Sequence, residues 1–220
     1  MSGGGLVYFM LWIILAITAS YLIGSIPTAY LFGRRLKGID IRQFGSGNVG
    51  ATNALRLLGK GPGITVLALD MLKGILAVVF LGDLLLLKTP LADEIIRIIL
   101  GLSCICGHIW TVFLNFKGGK GVATTFGVLA GLAFKVPGLN WVLALVILTW
   151  LIVFMFTRVV SLSSIISVLA MPLYMLMFRK SAIFVLSGLV LAVIIVIKHL
   201  SNLKRFFQGK ESHLDLGKPT

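Results

Sequence analysis

From residue 44 to residue 56 the chain reads Phe-Gly-Ser-Gly-Asn-Val-Gly-Ala-Thr-Asn-Ala-Leu-Arg. Three glycines (Gly45, Gly47, Gly50), two hydroxyls (Ser46, Thr52), two amides (Asn48, Asn53) and Arg56 stand together without a carboxylate. Glycine lets backbone N–H groups turn inward without a Cβ penalty. Successive inward amides make a nest for an anion, and an arginine adds a bidentate clamp. Such a loop suits phosphate. Residues 45–50 also fit G-x-G-x-x-G, but a dinucleotide fold needs a preceding strand and a βαβ unit, and an apolar segment with a charged linker precedes it here. The competing reading is a flexible loop of glycine turns.

A second element, Phe116-Lys-Gly-Gly-Lys-Gly-Val-Ala-Thr-Thr125, places Lys117, Gly118, Gly119 and Lys120 before a helical run. Leu114 stands where a Walker loop needs its first glycine. Lysine beside glycine at a helix start still suits phosphate through a point charge and the helix dipole; a positively charged membrane loop is the alternative. Asp70 and Lys73 are three apart and can pair on one helix face inside an apolar span, where ionisable groups are costly and face a polar interior. They read either as part of a site or as a structural pair. His108 reads as a general base or substrate donor, or as a helix-end histidine bonded to a carbonyl. Ser161, Ser163 and Ser164 can cap a helix or donate to phosphate. His199 and Asn202 share a helix face, in a site or in an amphipathic tail on anionic lipid. No His-x-x-x-x-Asp dyad exists: Phe113 and Lys204 stand five residues after His108 and His199. No Ser-His-Asp set and no carboxylate cluster for a metal is evident. Cys104 and Cys106, at i and i+2, point apart on a helix and read as small buried hydrophobes.

The elements that must hold these residues are membrane helices. The 220 residues are 58% hydrophobic and 12% charged, and the mean hydropathy is +1.05. Continuous apolar runs, rather than alternation, point to an all-α, polytopic membrane protein and not a barrel. Seven spans are read at 6–32, 64–87, 91–114, 122–134, 138–156, 165–178 and 182–197, in a single domain over 1–220. Gly24, Ser25 and Pro27 interrupt the first span. The polar segments are the loops at about 34–62, 114–121 and 157–164 and the tail 198–220. The net charge of +13 reads as a topology signal and a contact with anionic lipid; no basic module stands apart to bind nucleic acid. Fourteen basic residues fall on the side of the 34–62 loop against four (Lys88, Lys135, Arg179, Lys180) on the other. The N-terminus is therefore expected outside, the C-terminus in the cytoplasm, and every polar motif on the cytoplasmic face. A transporter would call for paired broken helices or inverted repeats, and none is convincing. A non-catalytic lipid-binding protein leaves Asp70, Lys73 and the asparagines unexplained.

Together these motifs resemble the acyl-phosphate:glycerol-3-phosphate acyltransferase family, PlsY. The resemblance rests on residues 21–30 (Tyr-Leu-Ile-Gly-Ser-Ile-Pro-Thr-Ala-Tyr), 45–53, 69–74, Gly107-His108, 116–124, 158–164 and 199–205, with Gly209 and Glu211. It covers nearly the whole chain. It implies transfer of a fatty acyl group from acyl phosphate to the 1-hydroxyl of glycerol 3-phosphate, the first acylation of phospholipid biosynthesis, at the bacterial inner membrane. No metal or other cofactor is implied. Membrane lipid and an upstream enzyme that forms the acyl phosphate are implied partners. Read with the resemblance, Ser46, Arg56, Lys120, His199, Asn202 and His108 are the catalytic candidates. Gly45, Gly47, Asn48, Gly50, Thr52, Asn53, Lys117, Gly118, Gly119, Ser161, Ser164 and Ser25 are the substrate-binding candidates. Asp70 and Lys73 are a supporting ion pair. The proton acceptor is either a substrate phosphate oxygen or His108.

Overall fold

A computed structural model of the chain describes residues 3–88 and 91–214, with side chains from residue 7 onward. Those residues form eleven α-helices and no strand. The chain divides into two compact units, Met1–Val136 and Pro137–Thr220.

In the first unit, α1 (Gly3–Ser25) and α2 (Thr28–Lys37) are separated by a break at Ile26 and Pro27, as expected from the proline's missing N–H and ring clash. A 3-10 turn (Ile41–Gln43) and α3 (Ala51–Leu58) follow. Helix α4 (Lys60–Leu76) widens through a π-helical turn (Ala77–Leu81) into α5 (Gly82–Leu86). Then come α6 (Asp93–Ile109) and α7 (Val122–Lys135). Helix α1 packs on α6, and α4 on both α3 and α7. Glycines set these crossings. A Cβ at Gly24 or Gly107 would overlap the backbone of the facing helix, at Cys104 and Tyr21 respectively. Gly74 and Gly127 bring α4 and α7 together in the same way, against Thr124 and Met71. Small residues let backbones approach, which is how helices associate where lipid removes the hydrophobic drive. Serines stitch the α1–α6 seam: Ser20 Oγ donates to the Leu100 carbonyl (2.6 Å) and Ser103 Oγ to that of Ile17 (2.8 Å). At about 0.6 kcal/mol each, such bonds align the seam more than they hold it.

At the end of α6 remote from His108, Arg97 is buried and reaches three ways. Its guanidinium donates to the Val78 carbonyl in the π-helical turn (2.7 Å), to Asp83 (2.6 Å) and to Asp93 (2.7 Å). Lys135 adds a contact to Asp83 (2.6 Å). The widened turn therefore frees a carbonyl that an intramembrane arginine uses.

The second unit contains α8 (Leu139–Thr157), α9 (Val160–Met177), α10 (Ala182–Lys198) and α11 (Leu200–Phe207). Helix α9 packs on α8 and α10. The tail returns to the α8–α9 turn, where the Leu214 N–H donates to the Arg158 carbonyl (2.9 Å).

Large apolar side chains such as Leu15, Phe80, Met155, Phe156 and Leu173 are exposed along these helices, as hydrocarbon-facing surface should be. Among the described residues, five segments are long and apolar enough to cross a membrane: Val7–Lys37, Lys60–Leu86, Asp93–Leu114, Leu139–Thr157 and Val160–Met177. A sixth is Ala182–Lys198 with Leu200–Phe207, bent by 56°. The seventh apolar helix, α7, is shorter. Its 14 residues extend about 21 Å, against about 30 Å of hydrocarbon. A second difference concerns the serines. The expected 158–164 turn is mostly helix: α9 starts at Val160 behind Val159, so no serine caps it. Ser163 and Ser164 instead donate to the carbonyls of Val159 (2.9 Å) and Val160 (2.8 Å), because within a helical turn the nearest acceptor is the i−4 carbonyl.

Replacing Gly127 by leucine drives a side chain into the α4 backbone and is expected to destabilise the detergent-solubilised protein by about 3 kcal/mol. Gly61→Ala, where an added Cβ meets nothing, is expected to leave the unfolding temperature unchanged or raised. Equal effects in thermal unfolding contradict the crossing assignment.

Candidate active site

The first glycine loop is tied at its entry by charge. Asp40 caps the Ile41–Gln43 turn by accepting from the Arg42 N–H (3.0 Å). The Arg42 guanidinium also grips Asp40, at 2.7 Å, and lies over the Tyr30 ring, 5.3 Å from its centroid. Bonding to Arg42 holds the Asp40 carboxyl down at about 2. Further along, Asn53 is buried and knots the loop. Its Nδ2 donates toward the carbonyls of Ile41 (3.1 Å), Phe44 (3.2 Å) and Asn48 (3.0 Å), and its Oδ1 accepts from the Ser46 N–H (3.0 Å). Gly45 and Gly47 have φ of 60° and 68°, the left-handed region glycine tolerates. A Cβ at Gly45 would meet the Asn53 amide. Asn53, expected as a substrate ligand, thus has its amide engaged in shaping the loop. Ser46 is exposed and Asn48, Thr52 and Arg56 half-buried. Gly50 ends the loop, and its carbonyl accepts the Ala54 N–H (3.1 Å) as α3 begins. Val49 and Ala54 pack with Ala29, Ile41, Val66 and Leu114, which anchors the loop over the helix ends.

The second loop folds back on the end of α6. The Gly118 N–H donates to the Ile109 carbonyl (3.1 Å) and the Gly119 N–H to that of His108 (3.0 Å). A Cβ at Gly119 would overlap the His108 ring. Lys117 is exposed and Lys120 half-buried. Just beyond, the buried hydroxyls of Thr124 and Thr125 make no hydrogen bond among the described residues. Beneath the loop lies the polar interior of the unit. Lys73 Nζ pairs with Asp70 Oδ1 (2.6 Å) and donates to the Ile26 carbonyl (2.5 Å). Thr28 Oγ1 also donates to Asp70 Oδ1 (2.6 Å), and His108 Nδ1 stands 3.8 Å from the same oxygen. Ser25 Oγ donates to the Gly107 carbonyl (3.3 Å), and Thr111 Oγ1 to the Ser25 carbonyl (2.5 Å). Ser25, Thr28, Val49, Asp70, His108, Thr111, Gly118 and Gly119 line one recess. The first glycine loop contributes Val49 to it, and the second Gly118 and Gly119.

In the second unit a cluster forms around Glu211. Its carboxylate accepts from Asn202 Nδ2 (2.5 Å), Ser161 Oγ (2.8 Å) and Arg205 Nε (2.8 Å). His199, at the bend between α10 and α11, lies with Nδ1 2.8 Å from the Ile195 carbonyl. Ser164 Oγ accepts from Trp150 Nε1 (3.2 Å). Among the described residues, no group of three or more His, Cys, Asp or Glu side chains could hold a metal ion.

The glycerol-3-phosphate acyltransferase family profile matches residues 14–209. This chain belongs to that family. It is 45% identical over 204 residues to glycerol-3-phosphate acyltransferase 2 of Moorella thermoacetica, covering 93% of this chain and 98% of the relative. It is 42% identical over 206 residues to the glycerol-3-phosphate acyltransferase of Parasynechococcus marenigrum, covering 94% and 92%. Among solved structures it resembles PlsY, an integral membrane glycerol 3-phosphate acyltransferase, in its glycerol 3-phosphate form, with a TM-score of 0.80, 32% identity, and 92% and 96% of the two chains covered. The lysophosphatidic acid form gives a TM-score of 0.77 at the same identity, covering 92% and 95%. The chain is thus a multi-pass member of an acyltransferase family of lipid biosynthesis.

The candidates of this acyltransferase family member fall into two groups. Those of the two glycine loops, with Ser25, Asp70, Lys73 and His108, lie in the first unit. Ser161, Ser164, His199 and Asn202 lie in the second, three of them on helices and His199 at a bend. Thr28, Thr111, Arg205 and Glu211 were missing from the candidates. Glu211 had a signal: it is one of two acids, with Asp215, in a basic tail. Thr28 and Thr111 had none, because only the fold aligns them with Asp70 and Ser25.

Burial raises the Glu211 carboxyl, but hydrogen bonds from Asn202, Ser161 and Arg205 outweigh burial and hold it below its ordinary value. A group lowered in the folded state contributes stability above its unfolded value of about 4.3 and loses it as pH falls through the folded value. The gap in unfolding temperature between wild type and Glu211→Gln is expected to be widest at neutral pH and to close on acidification below the carboxylate range. A gap independent of pH would contradict this.

Proposed function

We propose that this protein transfers a fatty acyl group from acyl phosphate to the 1-hydroxyl of glycerol 3-phosphate, releasing lysophosphatidic acid and inorganic phosphate. The observation that carries the proposal is the pair of carboxylate-free glycine loops that meet at one recess through Val49, Gly118 and Gly119, in a chain that resembles the glycerol 3-phosphate form of PlsY. Both substrates carry phosphate, so the site needs cations and donors. Ser46, Asn48, Thr52 and Arg56, with the amides of Gly45, Gly47 and Gly50, serve one phosphate. Lys117, Lys120, Gly118 and Gly119 serve the other at the start of α7. His199, Asn202, Ser161 and Ser164 are proposed as further donors to the substrates. The uncommitted hydroxyls of Thr124 and Thr125 support a ligand at the second loop, since buried hydroxyls are ordinarily bonded.

In the proposed step the glycerol oxygen attacks the acyl carbon. The carbon–oxygen bond to phosphate breaks, and a phosphate oxygen takes the hydroxyl proton. Preorganised donors stabilise the charge that develops on the acyl oxygen. Acyl phosphate has a good leaving group, so the step needs no strong protein base, metal or cofactor. His108 is buried behind Gly119, which favours the phosphate oxygen over His108 as proton acceptor. An upstream enzyme must form the acyl phosphate. The charge asymmetry supports seven spans in a single domain, with the N-terminus outside, the C-terminus in the cytoplasm and the site facing the cytoplasm, in the inner membrane. On this reading the short α7 completes the count with help from the loop before it.

Purified protein given acyl phosphate and labelled glycerol 3-phosphate, with coenzyme A and acyl carrier protein omitted, is expected to form labelled lysolipid and phosphate in equal amounts. Arg56→Ala is expected to cut transfer by about 10²–10³-fold with the unfolding temperature retained. Wild-type kinetics for glycerol 3-phosphate in that variant would refute the loop assignment, and transfer from a thioester donor alone would refute the donor.

A further inference from the structure

We propose that Asp70, Lys73 and His108 form a buried brace that sets the position of the 117–120 loop, so that they are positioning residues for the phosphate-bearing substrate and do not touch it. This rests on the reading of that loop as a phosphate site. A continuous set of contacts joins them. At the break beside Pro27 the Ile26 carbonyl accepts both the Thr28 N–H (3.0 Å) and Lys73 Nζ. Lys73 and Thr28 both bond Asp70 Oδ1, which fixes that carboxylate oxygen from two sides, with His108 Nδ1 3.8 Å away. The opposite edge of the His108 ring lies against Gly119, so closely that only glycine fits. The carbonyls of His108 and Ile109 accept the N–H groups of Gly119 and Gly118. The loop thus rests on the His108 ring and on the last carbonyls of α6, and the ring in turn is backed by the ion pair.

Stability alone does not explain the pair. A buried ion pair is commonly no better than an apolar replacement of similar volume, and charge inside a span is costly. Here satisfaction is also incomplete: Asp70 Oδ2 accepts no hydrogen bond among the described residues. Both residues lie on α4, three apart, so the pair itself joins no two helices. The arrangement is better suited to holding one oxygen, with the His108 ring 3.8 Å away, at the floor of the recess that Val49, Gly118 and Gly119 line. A proton-transfer role for His108 requires substrate within hydrogen-bond reach of the ring, and Gly119 occupies that edge.

Positioning and catalysis separate in steady-state kinetics. His108→Ala and the double variant Asp70→Asn with Lys73→Met are assayed with acyl phosphate and glycerol 3-phosphate. The double variant removes both charges together, so no lone charge is left buried. Both are expected to raise KM for glycerol 3-phosphate about tenfold or more, with kcat reduced no more than about threefold. Thr28→Val, which removes one of the two bonds to Asp70 Oδ1, is expected to raise KM by a smaller factor and stands in for either variant that fails to fold. A loss of kcat at unchanged KM overturns the brace. If that loss is 10²-fold or more in His108→Ala alone, His108 is the base; if it tracks a loss of folded protein in all three, the pair is only structural. An inactive wild type would instead refute the acyltransfer reading itself, whatever the variants do.

Discussion

Every polar group placed inside hydrocarbon must find its partner within the protein, and this chain meets that demand most severely at one place. Pro27 interrupts the first span, and the carbonyls of Ser25 and Ile26 lose their helical donors. Thr111 takes the first, and Lys73 joins the Thr28 N–H on the second. Lys73 then requires Asp70, and Asp70 draws in Thr28. From one broken helix a polar interior follows that links α1, α2, α4 and α6. The glycine crossings make this possible, because Gly24 and Gly107 bring the α1 and α6 backbones within reach of such short side chains.

The same physics shapes the candidate site at the helix ends. Irregular backbone is tolerated at a membrane boundary only where its N–H and C=O groups are used. In the first loop the Asn53 side chain donates its two N–H groups toward three carbonyls and accepts from one amide. In the second, Gly118 and Gly119 cap the end of α6. Ser46, Lys117 and Lys120 stand on these loops, and Arg56 on α3 just after the first. The far end of the same helices solves the burial problem differently, with Arg97 shared between a freed carbonyl and two aspartates.

Much of this was legible from residue types. Glycines without carboxylates marked both loops, Pro27 marked the break, and three-residue spacing marked the Asp70–Lys73 pair. Periodicity could not decide whether 122–135 spans the bilayer, since a helix of 14 residues is apolar enough but short. Nor could it show that Ser161, Ser163 and Ser164 lie inside α9, because serine reads as a cap until the helix start is known. The inward role of Asn53 and the gathering of Ser161, Asn202 and Arg205 on Glu211 depend on contacts across 5 to 50 residues. A local pattern holds no record of such contacts, and an asparagine that ties a loop looks the same in sequence as one that binds a ligand.

The central claim is that phosphate is held by glycine loops braced on this buried polar interior. Determining the structure of this protein with glycerol 3-phosphate bound tests it most directly. The expected result is a phosphate within hydrogen-bond distance of Lys120 or Arg56 and of loop amides, with the Asp70–Lys73 pair intact beneath. A phosphate bound away from both loops, or bound directly by Lys73 with the pair broken, would contradict it.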